Sequence, residues 1–492
     1  MSDGGGSQPS SPAPTRLVAV VLRFAAGFSL MTLAPPIAEF GLTLLYARVL
    51  SPADLGVLEV LWKTAGIAQI ALTLGLTIAL NALFFGAPQA QRPDLARKSL
   101  GLVGVIGIAA GAICAVFAEP VSALLFGTVN RADLIRIAAP SLISAPLVAV
   151  ATTLLRLDRR IGATNLVGGL MLIAGICASA WLVVGLAGGV QGAVAASSLA
   201  SVSVAALALV CIWPRQSGPP GRNSYRTIVT AGLSAIPATF CWIALTNADR
   251  IILAHAAGAA DVGVYGFAGR IATLAGVPFV IVWAAWLPIA AEWLSRDRPA
   301  AVQALARAQA YLCALAVLLA FVGGAAAPDL VRLLAPADYS SAAPMIAALM
   351  FFTGPLTYLS ASFAIPLYSA GRLGWISLIN AIGLAVNLLL NLALDPILGK
   401  WGAVISLNAA GIAITLSSLL ASRRFEVVPY NLRATVGILL LYPSLLMAIS
   451  LFDLYGISLW PRLAGLVLLL TTMWTAGWIP RWRANGSRAT TQ

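Results

Sequence analysis

The chain is poor in charge and in the residues that carry most enzyme chemistry. Only 10% of its 492 residues are charged, and His255 is its single histidine. A soluble domain carries about 25% charged residues. A lone histidine excludes a multi-histidine metal centre. The five cysteines, Cys114, Cys177, Cys211, Cys241 and Cys313, lie inside apolar runs with no CxxC spacing. They read as small buried hydrophobes, not as metal ligands or disulfides. No cofactor is expected. The apolar stretches lack period-2 alternation, which argues against a β-barrel. The longest connections on the expected outer side, Glu119 to Ile135 and Ala327 to Ala342, carry no paired carboxylates for acid–base work. That disfavours a membrane-embedded glycosyltransferase or polymerase.

What is present is apolar length. The chain is 60% hydrophobic with a mean hydropathy of +0.93. A membrane-crossing helix needs about 20 mostly apolar residues. Fourteen such runs lie near 22–48, 57–86, 100–119, 136–155, 161–185, 190–213, 228–257, 263–291, 303–326, 343–368, 375–394, 402–421, 435–452 and 461–480. The net charge of +13 would suggest nucleic acid in a soluble protein. Here the basic residues flank apolar runs, so the bias orients helices and no nucleic-acid partner is expected. With the N-terminus in the cytoplasm, nineteen Lys and Arg fall on the cytoplasmic side and six outside. That asymmetry supports both the orientation and the helix count.

One short pattern is written twice. Pro52-Ala53-Asp54-Leu55-Gly56-Val57 returns as Ala259-Ala260-Asp261-Val262-Gly263-Val264, an offset of 207. Gly192-Ala193-Val194 returns as Gly402-Ala403-Val404, and Arg160-Ile161-Gly162 as Arg372-Leu373-Gly374, at offsets of 210 and 212. The spacing implies a duplicated half of six helices. Six is even, so both halves enter from one side as a parallel repeat. The expected fold is an all-α polytopic membrane protein of about fourteen transmembrane helices. It divides into a cytoplasmic tail (1–16), an N-terminal six-helix bundle (17–213), a cytoplasmic linker (214–227), a C-terminal six-helix bundle (228–421), an appended helix pair (422–480) and a second cytoplasmic tail (481–492). The first fourteen residues lack the basic start of a cleaved signal peptide. Two like halves about a central cavity make a transporter the first expectation.

Pro35-Pro36 interrupts the first run, Pro237 its counterpart in the second half, and Pro278 and Pro288 the eighth run. Such prolines free backbone groups and mark bendable positions. Charges within the runs are the candidate site. A charge at the membrane centre costs at least about 2.5 kcal/mol and must face a cavity or a partner. The candidates are Arg23 and Glu39 in the first run, Glu59 and Lys63 in the second, Asp249 and Arg250 in the seventh, and Arg270 in the eighth. Glu59 and Lys63 are one turn apart and can pair. Asp249 and Arg250 are adjacent, which on a regular helix directs them to separate partners. Arg270 can reach Asp249 as a latch. Alternatively, Arg250 and Arg270 line an outward-facing cavity and hold a phosphate-like anion in a two-pronged grip. Asn380, Asn387 and Asn391 share one helix face and suit interhelical hydrogen bonds. Trp283 and Trp286 suit packing or sugar stacking. His255 is isolated near a run end.

The stretch Ala248 to Ala272, with Asp249, Arg250, Gly263, Tyr265 and Arg270, resembles the hallmark of bacterial polysaccharide flippases. Ala47 to Gly56 and Asn387 to Ala403 resemble other parts of the same family. The resemblance spans helices one to twelve and implies the multidrug/oligosaccharidyl-lipid/polysaccharide exporter superfamily. It implies two six-helix bundles in a V, and flipping of undecaprenyl-pyrophosphate-linked oligosaccharide across the bacterial inner membrane by alternating access. Arg250, Arg270, Asp249, Lys63, Glu39 and Arg23 are the substrate-binding residues this reading selects. Membrane lipids, a polysaccharide polymerase and a chain-length regulator are the implied partners. A lipid-linked peptidoglycan precursor flippase and a multidrug antiporter remain alternatives.

Overall fold

The structure is a computed structural model that describes residues 29–212, 224–296, 298–453 and 459–478. The regular structure of these residues is entirely helical. The first half contains α1 (Ser29–Val49), α2 (Pro52–Leu72), α3 (Leu76–Gly86), α4 (Arg92–Val116), α5 (Ala118–Phe126), α6 (Ala132–Leu157), α7 (Ile161–Ser179) and α8 (Gly189–Ile212). The second contains α9 (Tyr225–Asn247), α10 (Asp249–Ala257), α11 (Ala259–Arg296), α12 (Arg298–Leu334), α13 (Ala342–Phe351), α14 (Thr357–Phe363), α15 (Ile365–Ser369), α16 (Leu373–Leu398) and α17 (Lys400–Ser422). Helices α18 (Leu432–Asp453) and α19 (Leu459–Thr475) follow. Among the described residues, ten helical segments are long and apolar enough to cross a membrane, or eleven if the bent pair Tyr225–Pro237 and Thr239–Ala257 is one span. Helices α1, α11 and α19 fall outside that count.

The packing order repeats between the halves. Helix α1 packs on α7, and its counterpart α9 packs on α16. Helix α4 packs on α6, as α12 does on α13. Helices α7 and α8 form a pair, as α16 and α17 do. The expected interruption at Pro237 is a bend of 48°, since proline removes a hydrogen bond and clashes with the preceding turn. Helix α1 runs on through Pro35 and Pro36, and α11 past Pro278 and Pro288.

The twice-written motif is where the halves touch. Ser51 caps α2 by accepting from Asp54 N at 3.2 Å, and Pro52 occupies the first turn, where a missing N–H costs nothing. Helix α2 then crosses α11 so closely that only glycine fits. A Cβ on Gly56 would lie 1.8 Å from Ala259 O, and one on Gly263 would lie 1.8 Å from Pro52 O. The two contacts are reciprocal, as a two-fold relation between repeats demands. Asp261, the second copy of Asp54, instead accepts from Lys400 N and Nζ, both at 3.1 Å. At the same end Tyr339 donates to Leu50 O at 3.4 Å and meets the Phe267 ring at 5.0 Å. Burial, with Asp338 and Asp54 nearby, pushes its phenol above the usual tyrosine range, so it remains a donor.

A second contact of this kind lies at the far end of α2. A Cβ on Gly232 of α9 would meet Leu74 O at 2.1 Å, and one on Gly75 would meet Gly232 O at 2.4 Å. The halves therefore meet through bare backbone at two levels. Side chains forced into such contacts cost about 1–3 kcal/mol through overpacking. Gly263→Val is expected to lower the unfolding temperature in detergent, whereas Gly437→Val, at an open position, should leave it unchanged. Thermal unfolding followed by intrinsic fluorescence checks this.

Candidate functional site

Between the two glycine contacts lies a cavity of about 380 Å³. Along α2 its lining runs from Trp62 and Lys63 through Gly66 and Gln69 to Leu72. Helix α1 contributes Glu39 and Tyr46, α9 contributes Asn247, and α11 contributes Arg270. Lys63, Glu39 and Arg270, predicted from scattered positions, are thus brought to one wall. Arg23 lies outside the described residues.

Arg270 links the halves. Its Nε donates to Glu59 Oε1 at 2.7 Å and its second terminal nitrogen lies 2.6 Å from the same oxygen. Its other terminal nitrogen reaches Thr43 Oγ1 at 3.1 Å and Glu39 O at 3.4 Å. The guanidinium also stands over the Trp62 ring, 5.1 Å from its centre, an attraction that strengthens when water is excluded. Glu59 is fully buried. Its side chain lies across Gly266, where a Cβ would come within 2.5 Å of Glu59 Cγ. Glycine in α11 therefore makes room for the carboxylate that its own Arg270 binds.

This geometry corrects two expectations. Glu59 pairs with Arg270 across the halves, not with Lys63 on its own helix. Arg270 does not reach Asp249 as a latch. The arginine's length and its several donors let it take the carboxylate. Lys63 is left facing the cavity, with no ion pair among the described residues.

Asp249 and Arg250 require a further correction, because they do pair. Arg250 donates to both Asp249 oxygens at 2.7 and 2.8 Å, and to Thr246 O at 2.9 Å. The cause is local. Helix α9 ends at Asn247 and α10 begins at Asp249, so the two residues sit at a helix start. A helical side chain leans toward the N-terminus, which carries the guanidinium back over its neighbour. Tyr265 completes the unit by donating to Asp249 at 2.5 Å, with its ring 4.6 Å beneath Arg250. All three are buried. Arg250 is sealed inside the second half and does not line the cavity with Arg270.

Asp395 escaped the sequence reading. It lies on α16 one turn beyond Asn391, which is one turn beyond Asn387, and all three are buried. The i, i+4, i+8 spacing was the available signal, hidden by its place beside Pro396 at the run's end. Both Asp395 oxygens lack a hydrogen-bond partner, as does the Asn387 amide. Asn391 donates to Asn387 O within its own helix at 2.8 Å, so these amides do not make the expected interhelical bonds. Helix α16 packs against α10. A buried carboxylate with no hydrogen-bond partner needs a proton or a small cation. His255 is exposed, with Nδ1 2.9 Å from Ile251 O.

Comparison with known proteins adds the following. The family model for "Polysaccharide biosynthesis protein" matches residues 22–293. No curated protein matches significantly. Among solved structures, "Lipid II flippase MurJ, inward closed conformation" is similar with a TM-score of 0.71 at 14% identity, over 92% of this chain and 98% of that one. An inward-facing multidrug resistance MATE family transporter is similar with a TM-score of 0.65 at 17% identity, over 80% of this chain and 94% of that one. The Vibrio cholerae MATE transporter VcmN in the bent form has a TM-score of 0.51 at 18% identity, over 82% and 98%. These likenesses establish the fold.

Removing one partner of a buried ion pair strands the other and costs about 3–5 kcal/mol. Glu59→Ala and Arg270→Ala are each expected to destabilise the protein in that range. The double variant should lose less than the sum, because the two residues share one interaction. Thermal or denaturant unfolding of the four proteins measures the coupling.

Proposed function

Because the chain belongs to the polysaccharide biosynthesis protein family, we propose that it is a transporter. Its cargo is an undecaprenyl-pyrophosphate-linked oligosaccharide repeat unit, flipped across the bacterial inner membrane for surface or exopolysaccharide assembly. Lys63 carries the reading: it is a cation facing the cavity while its neighbour Glu59 is committed to Arg270. A pyrophosphate entering from the leaflet meets Lys63 as a compact charge and the outer edge of Arg270 as a planar donor. Glu39 flanks it on the first helix, and the Asp249–Arg250 unit lies buried behind. The polyprenyl tail stays in lipid, so only the polar head crosses.

The two glycine contacts support alternating access. Each brings backbone against backbone at one level of the interface, and one level could part while the other holds. The Glu59–Arg270 pair spans the halves between them, and an incoming anion competes with Glu59 for Arg270. Cargo binding is then coupled to loosening of the link, as a ligand must favour one state over the other to shift it. Asp395 supplies a place where a proton or small cation could bias the same equilibrium.

A lipid-linked peptidoglycan precursor flippase is the second reading, favoured by the similarity to the lipid II flippase structure. A multidrug antiporter is less favoured, since the cavity wall presents two basic side chains to one acidic one. The expected cytoplasmic termini and partnership with a polymerase and chain-length regulator belong to the first reading.

The test is transbilayer movement of fluorescent undecaprenyl-diphosphate oligosaccharide in liposomes holding the purified protein. Movement above that in empty liposomes is expected, with at least a tenfold loss (about 1.4 kcal/mol) in Lys63→Ala at unchanged protein level. Movement of lipid II alone would favour the second reading. Asp395→Asn should insert and fold normally yet lose any stimulation by a proton or sodium gradient, measured in the same liposomes.

A further inference from the structure

The second half contains another cavity, of about 350 Å³, unlike the first in chemistry. Its described lining includes Trp242, Thr357, Ser360, Tyr368, Asn380 and Ser418, and no acidic or basic side chain. The hydroxyls are oriented by their own helices. Thr357 donates to Phe352 O at 2.7 Å, and Ser360 donates to Thr357 O at 2.8 Å. With their hydrogens committed, both oxygens keep lone pairs that accept hydrogen bonds. A π turn at Phe352–Leu356 interrupts the helix here and carries Thr353 onto Ala272 O at 3.0 Å. Such turns are frequent at functional sites.

The two cavities share walls. Helix α11 presents Arg270 to the first and Gly276 to the second, and α9 presents Asn247 to the first and Trp242 to the second. Six helical residues rise about 9 Å, roughly the step from a diphosphate to the first sugars attached to it. Gly276 lets α11 pack closely on the π turn: a Cβ there would approach Thr353 O to 3.1 Å.

We propose that the second-half cavity is the subsite for the uncharged sugars of the cargo, with the diphosphate at Lys63 and Arg270. This rests on the flippase reading above. Sugar hydroxyls are donors that need acceptors, which Thr357, Ser360 and Ser418 provide. Asn380 offers both a donor and an acceptor, and Trp242 and Tyr368 give apolar faces for a pyranose ring. A carboxylated sugar finds no cation among the described residues here and is excluded by its desolvation cost.

Three probes test this with the purified full-length protein in nanodiscs. They are undecaprenyl diphosphate, the same lipid bearing galactosyl-N-acetylglucosamine, and the lipid bearing glucuronyl-N-acetylglucosamine. The neutral disaccharide is expected to tighten binding about tenfold over the bare lipid, and the glucuronyl form should not. Asn380→Leu and Thr357→Val should abolish most of the tightening while leaving the bare-lipid Kd unchanged. Equal tightening in wild type and both variants, or by the acidic disaccharide, overturns the proposal. If wild type binds neither the bare nor the glycosylated lipid, the flippase reading itself falls and takes this inference with it. Binding of the bare lipid without tightening by the neutral disaccharide defeats the subsite alone.

Discussion

The Arg270–Glu59 pair is the interaction on which the cavity depends. Apolar helices in lipid gain little by touching each other through leucine, because lipid is as apolar as leucine. Association therefore leans on close backbone packing and on polar links. Arg270 supplies the link between the halves, and its removal would leave a buried carboxylate without compensation. Its commitment to Glu59 also leaves Lys63 facing the cavity. One ion pair thus joins two repeats and sets the charge at the edge of a cavity lined mostly by the first half.

Close approach does the rest. Gly56 and Gly263 bring α2 and α11 into backbone contact, and Gly266 lets Glu59 cross α11 to reach Arg270. The Leu74–Gly75 segment against Gly232 repeats the device at the other level. Between them the walls diverge enough to leave room for a polar head.

Chemistry is divided between the halves. The first half and α11 line the charged cavity, while the second half closes its own buried charges on one another. Asp249, Arg250 and Tyr265 close on one another, and Asp395 stands apart with the asparagines of α16. The neutral cavity beyond them is lined by hydroxyls, an amide and aromatic rings. A cargo with a charged link and uncharged sugars has the same division.

The sequence by itself determined the all-helical class, the apolar runs and the duplicated motif, because hydrophobic length and repetition are written locally. It also singled out the charged positions, since a charge inside an apolar run is conspicuous. Pairing was not legible. Glu59 and Lys63 are one turn apart and looked like partners, but the choice depended on Arg270, 211 residues away. Asp249 and Arg250 looked unable to pair, because nothing local announced that a helix ends between Asn247 and Asp249. Asp395 was hidden by its neighbouring proline, and the second cavity by the ordinary look of its serines and threonines. Only the tertiary structure decided these points, because an ion pair or a cavity wall joins helices whose contact is set by packing, and packing partners are not encoded in any single run.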